Sequence, residues 1–214
     1  MKIATFTLTA LGLTAGTYFL LSSNKSKPMP VPFYTVARVI DGDTFVTEEK
    51  QNIRISSTEA PELEQCGGLE AKKALEKLIL GKPVYLKVLF LDPYRRFISL
   101  VYTPDSFVNE EMLKGGYSYY YRTSPGSIGE ILNKAGDEAR NNKRGVYSQK
   151  CTQRKNAANP SCSIKGNTRN GKIYYVPQCG FYDQVEVQLY LGDRWFCTEK
   201  EAIKSGFRAP SQCP

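Results

Sequence analysis

The sequence predicts an α+β fold: a five-stranded Greek-key β-barrel of the OB type with about three packed helices, plus a small cysteine-rich C-terminal module. Three observations predict it. Five short runs of β-type alternation fall into two groups, one before residue 57 and one after residue 83. A single helical stripe of apolar residues lies between the groups. After Cys151 the composition turns to Asn, Ser, Pro and Cys.

In chain order, residues 3–21 form an apolar run after one lysine, long enough to be an export signal or a membrane anchor. A polar linker rich in Ser, Lys and Pro follows, so residues 1–32 are expected to stand apart from the fold. Residues 34–40, 44–49 and 52–56 alternate as strands, separated by Asp41-Gly42-Asp43 and by a polar turn. Ala71, Ala74, Leu75, Leu78 and Ile79 make one face of a helix over residues 69–80, with Gly81 as its stop. Residues 84–91 and 97–102 supply the last two strands, and helices are expected over 107–113 and 127–139 to close the barrel's open side. The barrel domain is thus expected over residues 33–150 and the small module over 151–214. In that module, strands are expected at 172–176 and 185–191, and Thr198-Glu-Lys-Glu201 reads as a capping box opening a helix that ends at Gly206.

The chain carries 29 basic and 21 acidic residues, a formal charge of +8. Such a surface suits a polyanionic partner, although a basic face also serves solubility. The chain has no histidine, which excludes serine-histidine and cysteine-histidine catalysis and histidine-ligated metals. Acid-base work at neutral pH must then fall to Glu, Asp, Lys, Tyr or Cys. Six cysteines, at 66, 151, 162, 179, 197 and 213, lack C-x-x-C spacing, so disulfides in an oxidising compartment are expected.

The densest chemistry lies in Asp41-Gly42-Asp43-Thr44 and in the stretch from Arg54 to Glu62. Read alone, Asp-Gly-Asp-Thr is an ordinary turn. With Glu59, Pro61 and Glu62 at the next strand end, carboxylates and loop carbonyls gather as a hard cation such as Ca²⁺ requires. Arg54 beside them suits a phosphate oxygen pair. Tyr117, Tyr119, Tyr120 and Tyr121, next to Arg122, either pack inward or offer a ring to a base.

Ile40-Asp-Gly-Asp-Thr-Phe45, Arg54 through Glu62, Asp92-Pro-Tyr-Arg-Arg96 and Val108-Asn-Glu-Glu-Met-Leu-Lys-Gly-Gly116 resemble the staphylococcal nuclease family in order and spacing, over roughly residues 33–150. The resemblance implies a Ca²⁺-dependent endonuclease that hydrolyses DNA and RNA, single-stranded by preference, with little sequence specificity and 3'-phosphate products. It implies Asp43, Glu59 and the Ala60 backbone carbonyl as metal ligands, with Asp41 in the outer shell. Glu59 stands where the family usually has an aspartate, one methylene longer. Glu62 is implied as general base, Arg54 and Arg96 as phosphate-binding arginines, and Tyr94 as a residue lining the nucleotide site. No obligate protein partner is implied. A non-catalytic OB module that only binds nucleic acid is the alternative.

The tail resembles a small module appended to bacterial secreted nucleases and related to Ada-type metal-binding domains. A bridge between Cys66 and Cys151 would tie the end of the barrel domain to its middle. Cys179 with Cys197 and Cys162 with Cys213 would be the corresponding tail pairs, among fifteen pairings that six cysteines allow. Zinc held by the four tail cysteines is the other use.

Overall fold

The computed structural model describes residues 33–121, 126–169, 171–211 and 213. The N-terminal apolar run and linker, and Arg122 beside the tyrosines, lie outside the described residues. Among the described residues no helix is long and apolar enough to cross a membrane.

Strands β1 (Phe33–Val39), β2 (Thr44–Thr47) and β3 (Asn52–Ile55) form an antiparallel meander. The expected second strand stops at Thr47 because Lys50 takes a positive φ of 63° and its N–H returns to the Thr47 carbonyl. A two-residue strand, β4 (Thr58–Glu59), precedes helix α1 (Gly68–Ile79). Strands β5 (Pro83–Leu91) and β6 (Phe97–Tyr102) then form a hairpin. Parallel pairing of β3 with β6 and antiparallel pairing of β1 with β5 close a five-stranded barrel in the order β1-β2-β3-β6-β5.

Period-2 alternation decides which side chains fill it. Phe45, Ile53, Ile55, Val84 and Val101 point inward and are buried. Ala71, Leu75 and Ile79 of α1 complete the core together with Val108 and Met112 of α2 (Val108–Lys114). Each fully buried large aliphatic or aromatic side chain here contributes about 1.5–3 kcal/mol of hydrophobic stabilisation. Strand β7 (Tyr119–Tyr120) pairs with β4, and α3 (Gly126–Asn141) packs Leu132 and Ala135 against Leu113 of α2. The three barrel-side helices and five strands fall within a residue or two of expectation.

The tail differs more. Strand β8 (Thr152–Gln153) is followed by β9 (Ile164–Asn167), β10 (Ile173–Tyr175), β11 (Val187–Gln188) and β12 (Arg194–Phe196). The main tail sheet has the order β10-β9-β12, so two of its three strands, β9 and β12, had no counterpart in the expected list. Gly166 and buried Lys165 hide β9 from a hydrophobic alternation test. The glycine is there for close approach: a Cβ at 166 would meet the Phe196 and Phe207 rings at 2.5 and 3.0 Å. The strand expected over 185–191 shrinks to β11, followed by a 3₁₀ turn at Leu189–Leu191. Helix α4 (Glu199–Lys204) is capped as expected: Thr198 Oγ1 accepts from Glu201 N–H at 3.2 Å. The Glu201 carboxylate, however, accepts from Cys197 N–H at 2.9 Å, one residue earlier than a standard capping box.

All six cysteines are in disulfides. Cys66–Cys151 forms as expected. The expected tail pairs are corrected to Cys162–Cys197 and Cys179–Cys213. The reason is the unforeseen β9–β12 pairing, which sets Ile164 opposite Phe196 and brings Cys162 and Cys197 to one end of neighbouring strands. The Ada-type metal-binding reading of the tail is overturned, since its cysteines are consumed by bridges. In the chain-entropy model each tail bridge, closing about 35 residues, contributes about 4 kcal/mol.

Candidate active site

The site is built on the β1–β2 turn, the β3–β4 segment and the loop that follows. Asp41 Oδ1 accepts from Asp43 N–H at 3.0 Å, an Asx turn that fixes the hairpin tip. Gly42 serves close approach and not a left-handed turn: a Cβ there would lie 2.5 Å from both the Ala60 and the Ala71 methyl carbons. The tip is thereby pressed against both the Ala60 loop and α1.

Asp43 is buried, at 3% exposure. Its Oδ1 accepts from Thr44 Oγ1 at 2.8 Å and from Arg54 at 2.7 Å, while Oδ2 accepts from Ala60 N–H at 2.9 Å. Arg54 alternates outward between inward Ile53 and Ile55, and its second amino group donates to Glu59 Oε2 at 2.6 Å. One guanidinium therefore spans both carboxylates. Burial pushes the Asp43 carboxyl up to about 7, against the pull of Arg54 and with a further push from Asp41. The Arg54 guanidinium is held above its ordinary value: burial opposes the charge, and Asp43 and Glu59 outweigh it.

Glu59 is positioned by β4, where it lies opposite Tyr119 of β7. The sharp bend leading there is pinned by Asn109, which donates to the Ser56 carbonyl at 2.8 Å and accepts from Val101 N–H at 2.9 Å. Asn109 was legible only as part of a motif; its full burial and its pairing with two distant backbone groups give it this role. Glu62 is exposed, with its N–H donated to Gln65 Oε1 at 3.1 Å and its carboxylate unpaired among the described residues.

Arg96 belongs to the β5–β6 turn. Its Nε donates to Asp92 Oδ2 at 2.8 Å, and Asp92 Oδ1 accepts from the Tyr94 and Arg96 amides. Burial pushes the Asp92 carboxyl up, but Arg96 outweighs it and holds the group below its ordinary value. The Arg96 guanidinium lies 5.3 Å from the centre of the Tyr94 ring, which is 79% exposed. Arg54 stands opposite Ile98 on the parallel neighbour, two residues beyond Arg96. The structure thus joins Asp43, Arg54, Glu59 and the Ala60 amide directly, with Asp41 behind them, whereas among the described residues no hydrogen bond or ion pair ties Arg96, Tyr94 or Glu62 to that cluster.

The tyrosine run divides. Tyr119 joins a seam with Tyr190 of the tail, Tyr120 packs beside α2 and α3, and Tyr121 is 60% exposed. Sequence reasoning gave Tyr119 no specific role, and its partner is more than 70 residues away.

A family model described as "Staphylococcal nuclease homologue" matches residues 52–149. A probable staphylococcal-like nuclease of Oryza sativa subsp. japonica is 38% identical over 38% of this chain and 22% of its own length. An uncharacterized endonuclease of Haemophilus influenzae is 34% identical over 41% of this chain and 51% of its own. A micrococcal nuclease of Shigella flexneri is 26% identical over 53% of this chain and 72% of its own. The chain spans about a fifth of the length of the rice relative and half of the Haemophilus one.

Proposed function

We propose, from the premise of a staphylococcal nuclease family domain that the family match over residues 52–149 and the relatives' names support, that the protein is an endonuclease hydrolysing phosphodiester bonds of DNA and RNA. The observation that carries this reading is the Arg54 bridge between buried Asp43 and half-buried Glu59 at the closed end of a β-hairpin. An anion-binding fork beside clustered carboxylates suits a phosphate held together with a cation.

The residues fit Ca²⁺. The donors are all oxygen, and two carboxylates, one of them buried, lie within the reach of a single guanidinium. Among the described residues no cluster of three or more acidic or cysteine side chains is gathered for a metal, so the site relies on a backbone carbonyl and water besides its two carboxylates. Asp43, Glu59 and the Ala60 carbonyl would hold the ion, with Asp41 in the outer shell. When bound, it supplies Lewis-acid polarisation of a phosphoryl oxygen.

The chain's own residues do the rest. Arg54 spends two of its five donors on Asp43 and Glu59 and keeps the others for phosphate oxygens as charge develops there. Arg96, locked in orientation by Asp92, offers a second fork from the turn that leads into the neighbouring strand β6. Glu62, exposed on its loop, orients water and takes its proton in a protein without histidine. Exposed Tyr94 presents a ring to the nucleotide. Cleavage leaves 3'-phosphate ends, with single strands preferred. Three disulfides support an oxidising compartment, and hence an exported or anchored protein led by residues 1–32. Incubating purified protein with single-stranded DNA or RNA tests the reading: degradation with Ca²⁺ that stops on chelation supports it, and no cleavage with the metal overturns it.

A further inference from the structure

Where the segment after α3 meets the C-terminal module lies a cleft of about 450 Å³ lined by Lys143, Tyr147, Arg154, Lys155 and Glu186 among others. Its charged lining is three cations against one carboxylate, and that carboxylate is already paired with Arg154 at 3.0 Å. Lys143 and Lys155 are exposed and make no ion pair among the described residues. The cations of its wall suit a polyanion.

A row of rings links this cleft to the proposed catalytic centre. Tyr147, in the cleft wall, meets Tyr190 edge-on at 6.1 Å, and Tyr190 meets Tyr119 at 5.6 Å. Tyr119 stands opposite Glu59 in the β4–β7 pair. Two arginines follow the row. Arg140 lies 5.1 Å over the Tyr147 ring and pairs with Asp137 at 3.3 Å. Arg169, exposed on the tail, donates to Gln188 at 3.1 Å, and its loop is fixed by buried Asp193, which accepts from Thr168 N–H and Oγ1 at 2.7 and 2.8 Å. Burial raises the phenol pKa values of Tyr147 and Tyr190, and the nearby Arg140 and Arg169 charges oppose each rise. Arg140 and Arg169 thus bring cationic groups to the seam between barrel and tail.

We propose that this seam is a second binding site, a track for the phosphate backbone of single-stranded nucleic acid that runs from the Asp43–Arg54–Glu59 centre past Arg169 to Lys143, Arg154 and Lys155. The C-terminal module is then part of the substrate cleft. The inference rests on the nuclease reading for the course of the strand, whereas binding along the seam does not require cleavage.

The test is binding of a labelled single-stranded oligonucleotide of roughly 20 nucleotides, in chelator and over a series of salt concentrations, to the full chain. The combined Lys143→Ala, Arg154→Ala, Lys155→Ala variant is expected to bind on the order of tenfold more weakly, with a salt slope smaller by roughly 2. Arg169→Ala is expected to lose roughly 0.7 of slope, and Arg169→Lys to restore most of it. Cleavage of a dinucleotide stays at the wild-type rate in all of them. These side chains are exposed, and unchanged thermal unfolding verifies the fold. Wild-type affinity and slope in the variants overturn the proposal. So does a loss of binding to anionic phospholipid vesicles with oligonucleotide binding intact. A wild type that binds in this way yet cleaves nothing leaves the track standing and removes the nuclease reading; a wild type that cleaves, with variants that bind equally, does the reverse.

Discussion

Arg54 ties Asp43 to Glu59 through two separate nitrogens, at 2.7 and 2.6 Å. A lysine ammonium is a point charge on a flexible stem and cannot reproduce this fork. Arg54→Lys is expected to lower turnover on single-stranded DNA at least a hundredfold, corresponding to about 3–4 kcal/mol of barrier. Steady-state kinetics on folded variant checks it, and near-wild-type turnover contradicts it.

The Asp43 carboxyl gives a stability signature. Its folded pKa, raised by burial to about 7, lies above the ordinary 3.8, so the protonated form favours folding. That contribution is fully present below the ordinary value and is lost as pH rises through about 7. In chelator, the unfolding temperature of the wild type relative to Asp43→Asn should therefore fall between pH 5 and pH 8. Adding Ca²⁺ should restore it at the alkaline end. A difference independent of pH contradicts the account.

Glu62 stands exposed, and its carboxylate has no partner among the described residues to hold it away from water. Replacing it by Gln keeps the shape and removes the proposed base, so kcat should fall by about 10²–10⁴ with KM nearly unchanged. Steady-state kinetics on the folded variant check it, and a near-wild-type kcat assigns the base elsewhere.

Much of this was legible in the sequence and some was not. The barrel could be read because inward Phe45, Ile53 and Ile55 obey a two-residue period that survives without tertiary context. The Asp-Gly-Asp turn was legible too, but the reason for Gly42 was not: its neighbours Ala60 and Ala71 come from other elements. Asn109 and Tyr119 act through partners far away in the chain, which local patterns do not reveal. Lys165 is the sharpest case. A lysine in a strand reads as solvated, yet it is fully buried, donating to the Tyr182 and Val185 carbonyls at 2.8 and 2.7 Å beneath the Tyr182 ring.

Lys165 consequently gives a prediction about the tail alone. Its pKa is lowered by burial, with Asp183 and Glu186 opposing, and its ammonium donates to the Val185 carbonyl and shares the Tyr182 carbonyl with the Val185 N–H. Lys165→Met should leave the Val185 carbonyl without its donor and destabilise the tail by roughly 2 kcal/mol. Denaturant unfolding and hydrogen exchange of the β9–β12 amides should report the loss, while dinucleotide cleavage by the barrel stays unchanged.

The central claim is that Asp43 and Glu59 form a Ca²⁺-dependent centre with Arg54. The most direct measurement is Ca²⁺ titration of single-stranded DNA cleavage by the wild type, Asp43→Asn and Glu59→Asp. Saturable Ca²⁺ dependence in the wild type, loss of cleavage in Asp43→Asn, and an altered half-saturating Ca²⁺ concentration with retained maximal rate in Glu59→Asp are predicted. Wild-type titration curves in both variants, or cleavage that ignores Ca²⁺, would contradict it.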